Sequence, residues 1–179
     1  QSYEGRIRLT PKGWLASEEG VVGLDSDTAF IAMWFNEQET GALRGALIGA
    51  IEEAGYTPRI IDQHEYTGLV VDQIMKEIRS ARFMVVDYTC GFKPNGNGDE
   101  IYQMRGGVYW EAGFGLGLGL TVISTVQDGL FGKNGAIHFD QAQFNHLPWT
   151  PDGLESFKEQ LRNRVIALVG WGPHRPGDS

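Results

Sequence analysis

The sequence predicts an α/β protein, a mainly parallel sheet of four to five strands flanked by helices. Three observations predict it. Short apolar runs of strand length alternate along the chain with longer segments whose apolar residues recur at helical spacing. The strand-length runs are apolar at consecutive positions rather than at every second one, as expected of strands covered on both faces. Strands alternating with helices imply parallel β-α-β units. The resulting sheet is flavodoxin-like or Rossmann-like, and such sheets bind ligands at the carboxyl ends of their strands.

Each element follows in order. Arg6 to Trp14, RIRLTPKGW, reads as a short strand and a turn at Pro11 to Gly13, the hairpin remnant of an upstream unit. Residues 17–27 read as a linker, so the main domain is expected over residues 28–179. The chain starts with Gln1 rather than Met, which fits a piece of a longer protein. TAFIAMWF, Thr28 to Phe35, is a buried strand. ETGALRGALIGAIEEAG sets Leu43, Leu47, Ile51 and Ala54 on one helical face and stops at Gly55. YTPRIID is a second strand ending at Asp62. LVVDQIMKEIRSA sets Val71, Ile74, Met75 and Ile78 on one face of a second helix. RFMVVDY is a central third strand. A polar, Gly-rich loop is expected from Thr89 to Gly107, then a helix over RGGVYWEAGFGLGLGL and a fourth strand in LTVIST. AIHFD, residues 136–140, is the candidate fifth strand. The last helix, DGLESFKEQLRNRVIALVG, turns Leu154, Leu161, Val165 and Leu168 inward.

Bulk composition narrows the function classes. A length of 179 residues suits one domain with a short appendage. The net charge of −8 argues against a broad nucleic-acid surface and against anionic membranes, though not against a local anion pocket. Cys90 is the single cysteine, so an internal disulfide is ruled out and a reducing, cytoplasmic setting is expected. No apolar run reaches the roughly 18 residues a membrane span needs, and no signal peptide is visible.

The strand-end rule gathers scattered residues to one sheet edge: Met33, Trp34 and Phe35 after strand one, Asp62 and His64 after strand two, Asp87 after strand three. Trp34 and Phe35 suit a pocket wall. Asp62 and Asp87 are candidates for ribose hydroxyls, with helix capping as the bland alternative. His64 is a candidate acid or base. His138 and His146, with Asp140 between them, form no recognised zinc arrangement, so no metal is expected. Arg79 and Arg82 are read as solvating a helix end.

Gly113, Gly115, Gly117 and Gly119 contain the letters of a dinucleotide fingerprint, but that motif must follow a strand and open a helix. Here the glycines lie late in the helix, where missing side chains let a helix face approach the sheet. Glu111 lies near the helix start, where the dipole favours an ionised carboxylate. Tyr109, Trp110 and Phe114 are expected around it. A carboxylate among rings suits attack on an electron-poor carbon or stabilisation of a developing cation. Both arise when an N-glycosidic bond breaks and the sugar gains oxocarbenium character.

AFIAMWF, GYTPRIIDQHEYTG, DQIMKEIRSARFMVVDYT and GGVYWEAGFGLGLGLTVI together resemble the nucleoside 2-deoxyribosyltransferase-like group, which is akin to TIR domains. The resemblance runs from about Ala29 to Trp149, where HFDQAQFNHLPW also fits a bacterial TIR-like branch. It implies that Glu111 is the catalytic carboxylate at the anomeric carbon. It also implies that Asp72 assists at base or sugar, and that Trp34 and Phe35 border the pocket, with Tyr109 helping to shape it. One departure matters: deoxyribosyltransferases carry an aspartate about six residues before the glutamate, and this chain has Arg105 there. A guanidinium suits phosphate oxygens instead. The expectation therefore moves from free nucleosides to a nucleotide, NAD in particular, taken as substrate with no cofactor. The TIR-like branch further implies an NADase effector of bacterial antiviral defence, behind an upstream sensor domain and active as a homo-oligomer. Two readings stay beside it: a nucleoside or nucleotide deoxyribosyltransferase or N-glycosidase, and a non-catalytic nucleotide-sensing or assembly module.

Overall fold

The computed structural model describes residues 23–61, 70–97, 100–130, 136–138, 140–141 and 143–175. The expectations for Arg6 to Trp14, Asp62 and His64 lie outside these residues. The elements are β1 (Thr28–Ala32), α1 (Glu37–Glu53), β2 (Thr57–Ile60), α2 (Val70–Ser80) and β3 (Phe83–Asp87), followed by β4 (Gly91–Pro94) and β5 (Glu100–Gln103). They continue with α3 (Gly106–Gly117), β6 (Thr121–Gln127), β7 (Leu147–Trp149) and α4 (Leu154–Val169). The main sheet runs β2-β1-β3-β6-β7 with every pairing parallel. Among its five strands this is the flavodoxin-like order, with the topological switch between β1 and β3.

The consecutive apolar runs have a direct cause. Ala29 and Ile31 of β1, with Phe83 and Val85 of β3, join one core cluster with Leu43, Leu47 and Ile51 of α1 and with Phe157, Leu161 and Val165 of α4. Phe30 and Ala32, with Met84 and Val86, join the other with Ile74 and Ile78 of α2 and Val108 and Ala112 of α3. Successive strand residues point to opposite faces, and both faces are covered by helices, so both parities favour apolar side chains and a polar one needs a hydrogen-bond partner. The three residues named in α1 and the three in α4 recur at helical spacing, which is what the periodic pattern encodes.

Glycine matters at two places in this packing. Gly55, which ends α1 at φ +87°, adopts a backbone conformation that side chains rarely allow. A Cβ on Gly115 of α3 would run into the Met84 sulfur, so the late-helix glycine lets α3 press onto β3 as expected.

Five expectations are corrected. The strand over residues 28–35 ends at Ala32, freeing Met33, Trp34 and Phe35 from the sheet. The fifth strand is Leu147–Trp149 rather than residues 136–140; its central Pro148 is tolerated because β7 is an edge strand. The Gly-rich loop contains the antiparallel hairpin β4–β5, with Phe92 opposite Tyr102 and their rings 6.2 Å apart. Val71 and Leu168 are 52% and 56% exposed, because the buried stripes of α2 and α4 are narrower than the apolar pattern. Arg79 does not only solvate a helix end: its guanidinium lies over the Phe114 ring at 5.1 Å.

Candidate functional site

The cleft opens at the switch edge of the sheet. Chain leaving β1 supplies Met33, Trp34 and Phe35, and chain entering α3 supplies Met104, Arg105, Gly106, Gly107, Val108 and Glu111. Ile61 after β2 and Ile74 of α2 close the apolar side. The cavity is about 410 Å³, inside the ~300–1,000 Å³ range of small-molecule pockets. Five sequence-predicted residues thus converge: Met33, Trp34, Phe35, Arg105 and Glu111.

Asn36 is the device that aims the rings. It caps α1, its side-chain oxygen accepting from the backbone N–H groups of Gln38 and Glu39 at 3.1 and 3.2 Å. The Thr40 hydroxyl donates to the Trp34 carbonyl at 2.6 Å. The segment between β1 and α1 is therefore pinned at both backbone and cap. Trp34 in turn carries the Arg105 guanidinium over its ring, 4.0 Å from the centroid, a cation–π contact. Arg105 Nε is buried and has no hydrogen-bond acceptor among the described residues. Gly91 makes room for this pair, since a Cβ there would lie 3.0 Å from the tryptophan ring edge.

Glu111 is the one carboxyl group among the described residues that lines the cleft, and it has no hydrogen-bond or ion-pair partner there. It sits in the second turn of α3, past the reach of the first-turn dipole. Burial governs it instead and raises its pKa from 4.5 to about 7. Burial thus opposes the ionised form that the helix dipole was expected to favour.

The other predicted residues go elsewhere. Tyr109 is not in this cleft. Two residues before Glu111 on a helix is some 200° around the axis, and Tyr109 faces a neighbouring hollow with His138 and Gln141, which shares Met104 and Gly106 with the cleft. There its hydroxyl oxygen accepts from the His138 N–H at 3.1 Å, and its ring meets Tyr88 at 4.9 Å. Trp110 stacks on Phe114, centroids 5.8 Å apart, and is 44% exposed, and neither ring lines the cleft. Asp72 is exposed in the first turn of α2 and does not line the cleft.

Asp87 is fully buried rather than open to a ribose. One carboxylate oxygen accepts from the Thr125 hydroxyl at 2.7 Å and the Trp149 indole N–H at 2.9 Å, and the other from the Thr89 N–H at 3.1 Å. Burial raises its pKa against these three donors. It ties β3, β6 and β7 together.

Sequence reasoning missed Met104, Ile61 and Ile74 as walls, because apolar residues at an element's edge read as ordinary core. It also missed the Trp34–Arg105 contact, which joins residues 71 positions apart and leaves no local signal.

No protein-family model matches the sequence, and no curated protein matches it. Solved structures do. One is a 2-desoxiribosyltransferase from Leishmania mexicana, 17% identical over 56% of this chain and 65% of that one, with a TM-score of 0.45. Another is a CMP N-glycosidase from Clostridium botulinum, 12% identical over 76% of this chain and 98% of that one, with a TM-score of 0.48. The first match spans just under two thirds of its partner's length. Among the described residues no three His, Cys, Asp or Glu side chains converge as metal ligands, and no helix is long and apolar enough to cross a membrane.

Proposed function

We propose that this protein breaks the N-glycosidic bond of a nucleotide, with Glu111 as the carboxyl group that meets the anomeric carbon. The single observation that carries the reading is the placement of Glu111: a partly buried carboxyl group, the one carboxyl among the described residues of a cleft walled by Trp34, Phe35 and Arg105. As the C1′–N bond stretches, positive charge spreads over the ring oxygen and C1′. An ionised Glu111 in a poorly solvated cleft stabilises that charge or adds to C1′, after which water completes hydrolysis. A second base in place of water would give transfer instead. Trp34 and Phe35 offer ring surface for the base or sugar.

Arg105 supports a phosphorylated substrate. Its guanidinium lies at the cleft wall beside the start of α3, whose first-turn N–H groups also favour anions. The nicotinamide–ribose bond of NAD is a second reading within the same chemistry, favoured by that cation and by the positive charge already on the leaving base. Asp72 and Tyr109, both outside the cleft, take no step in this mechanism.

The test is to incubate the protein, across a range of concentrations that allows self-assembly, with nucleoside monophosphates and NAD. Free base or nicotinamide is then followed by chromatography. Release from at least one substrate, abolished in Glu111→Gln, is the expected result. Release that continues unchanged in Glu111→Gln sinks the reading. Binding without release, unaffected by that substitution, would favour a sensing module. Exchange of one base for another would mark a transferase.

A further inference from the structure

A second cavity of about 520 Å³ adjoins the Glu111 cleft and shares Trp34 and Arg105 with it as a common wall. Its remaining walls come from the β4–β5 hairpin with Cys90 before it, the end of β6 and the chain after it, and Glu39 of α1, and the proposed reaction uses none of them. Their chemistry is specific. Phe92, 55% exposed, presents a ring on which a base can stack. Gln103 and Gln127 bring amides that both donate and accept, as a base edge requires. Asp128 adds a carboxylate, an acceptor for sugar hydroxyls, and Glu39 a second. Lys93 forms no ion pair or hydrogen bond among the described residues, so its charge is unspent, and the Arg105 guanidinium lies on the shared wall.

Ring, amides, carboxylates and cations are the groups that one nucleoside-phosphate unit calls for. Each cavity is large enough for one such unit. Arg105 stands where the two meet. We infer that the second cavity holds the distal nucleoside-phosphate half of a dinucleotide, with Arg105 at the phosphate bridge and the scissile bond in the Glu111 cleft. The inference rests on the proposed N-glycosidic reaction and names its substrate class. Lys93 and Gln127 become specificity-determining residues. Gly91, whose missing side chain lets Trp34 lie against the hairpin, keeps the common wall in place.

The test compares two probes by calorimetry: ribose 5-phosphate, which has only the proximal half, and ADP-ribose, which has both. ADP-ribose is expected to bind the full chain at least ~10-fold more tightly, since one added charged hydrogen bond alone supplies about that factor. Lys93→Gln and Gln127→Leu, each checked for native circular dichroism, are expected to shrink that ratio several-fold. Equal affinities, no binding of either probe, or a ratio unchanged in both variants would overturn the inference. Its failure is separable from that of the reaction. If ADP-ribose gains nothing while base release still needs Glu111, only the second cavity's role falls. If release ignores Glu111, the reaction falls whatever ADP-ribose does.

Discussion

Asp87 and Glu111 are both carboxylic acids withdrawn from water, and burial raises the pKa of each. They differ in what surrounds them. Asp87 accepts three hydrogen bonds from three separate segments and opens onto no described cavity. Glu111 has no partner among the described residues and faces a cleft. A buried polar group that is fully satisfied contributes order, whereas one left unsatisfied costs stability unless function retains it. Burial alone therefore does not mark a site; burial without partners, at the open edge of a sheet, does.

The sharpest way to break this contrast is to exchange amide for acid at the cleft. Glu111→Gln keeps shape and removes charge, and base release is expected to fall on the order of 10³-fold, as read by initial rates. Because the folded-state pKa stands above the ordinary carboxyl value, folding favours the protonated form. The group's stability contribution is complete below about pH 4.5 and is lost as pH rises through about 7. Glu111→Gln removes that loss, so above neutrality the variant is expected to melt later than the parent, by a margin that disappears in acid. A variant melting earlier at every pH would show that the carboxyl group is structural after all.

Asp87→Ala should invert the pattern. It strands the Thr125 hydroxyl and the Trp149 N–H inside the protein, at a cost of about 3 kcal/mol in denaturant titration. The protein that remains folded should release base near the parent rate, since Asp87 does not line the cleft. A selective loss of rate with little loss of stability would return Asp87 to the site. The smallest effect is expected at Gly115→Ala. The added methyl meets the sulfur of fully buried Met84, and the overpacking outweighs the gain in helix propensity by about 1 kcal/mol.

The fold was legible because both faces of the sheet are covered: continuous apolar strands and periodic helices such as the one through Leu43, Leu47 and Ile51 have few other arrangements. The strand-end rule likewise placed Trp34 and Phe35. Legibility failed where long-range contacts decide. β7 has three residues and a proline, and its pairing with β6 is set by packing rather than propensity. Asp87 occupies a strand-end position equivalent to a ligand-binding one, yet Trp149 and Thr125 claim it from afar. Tyr109 neighbours Glu111 in sequence but not around the helix axis. The upward pull of burial on the Glu111 pKa was missed for a similar reason, since the dipole is visible in sequence and desolvation is not.

The most direct measurement is the pH dependence of kcat/KM for base release, followed about two units either side of neutrality. An ionised Glu111 at the anomeric carbon predicts a rate that climbs with pH to a plateau, with its midpoint near 7. The same climb should be missing from the residual activity of Glu111→Gln. A profile with no step near neutrality, or the same step persisting in Glu111→Gln, would contradict the account.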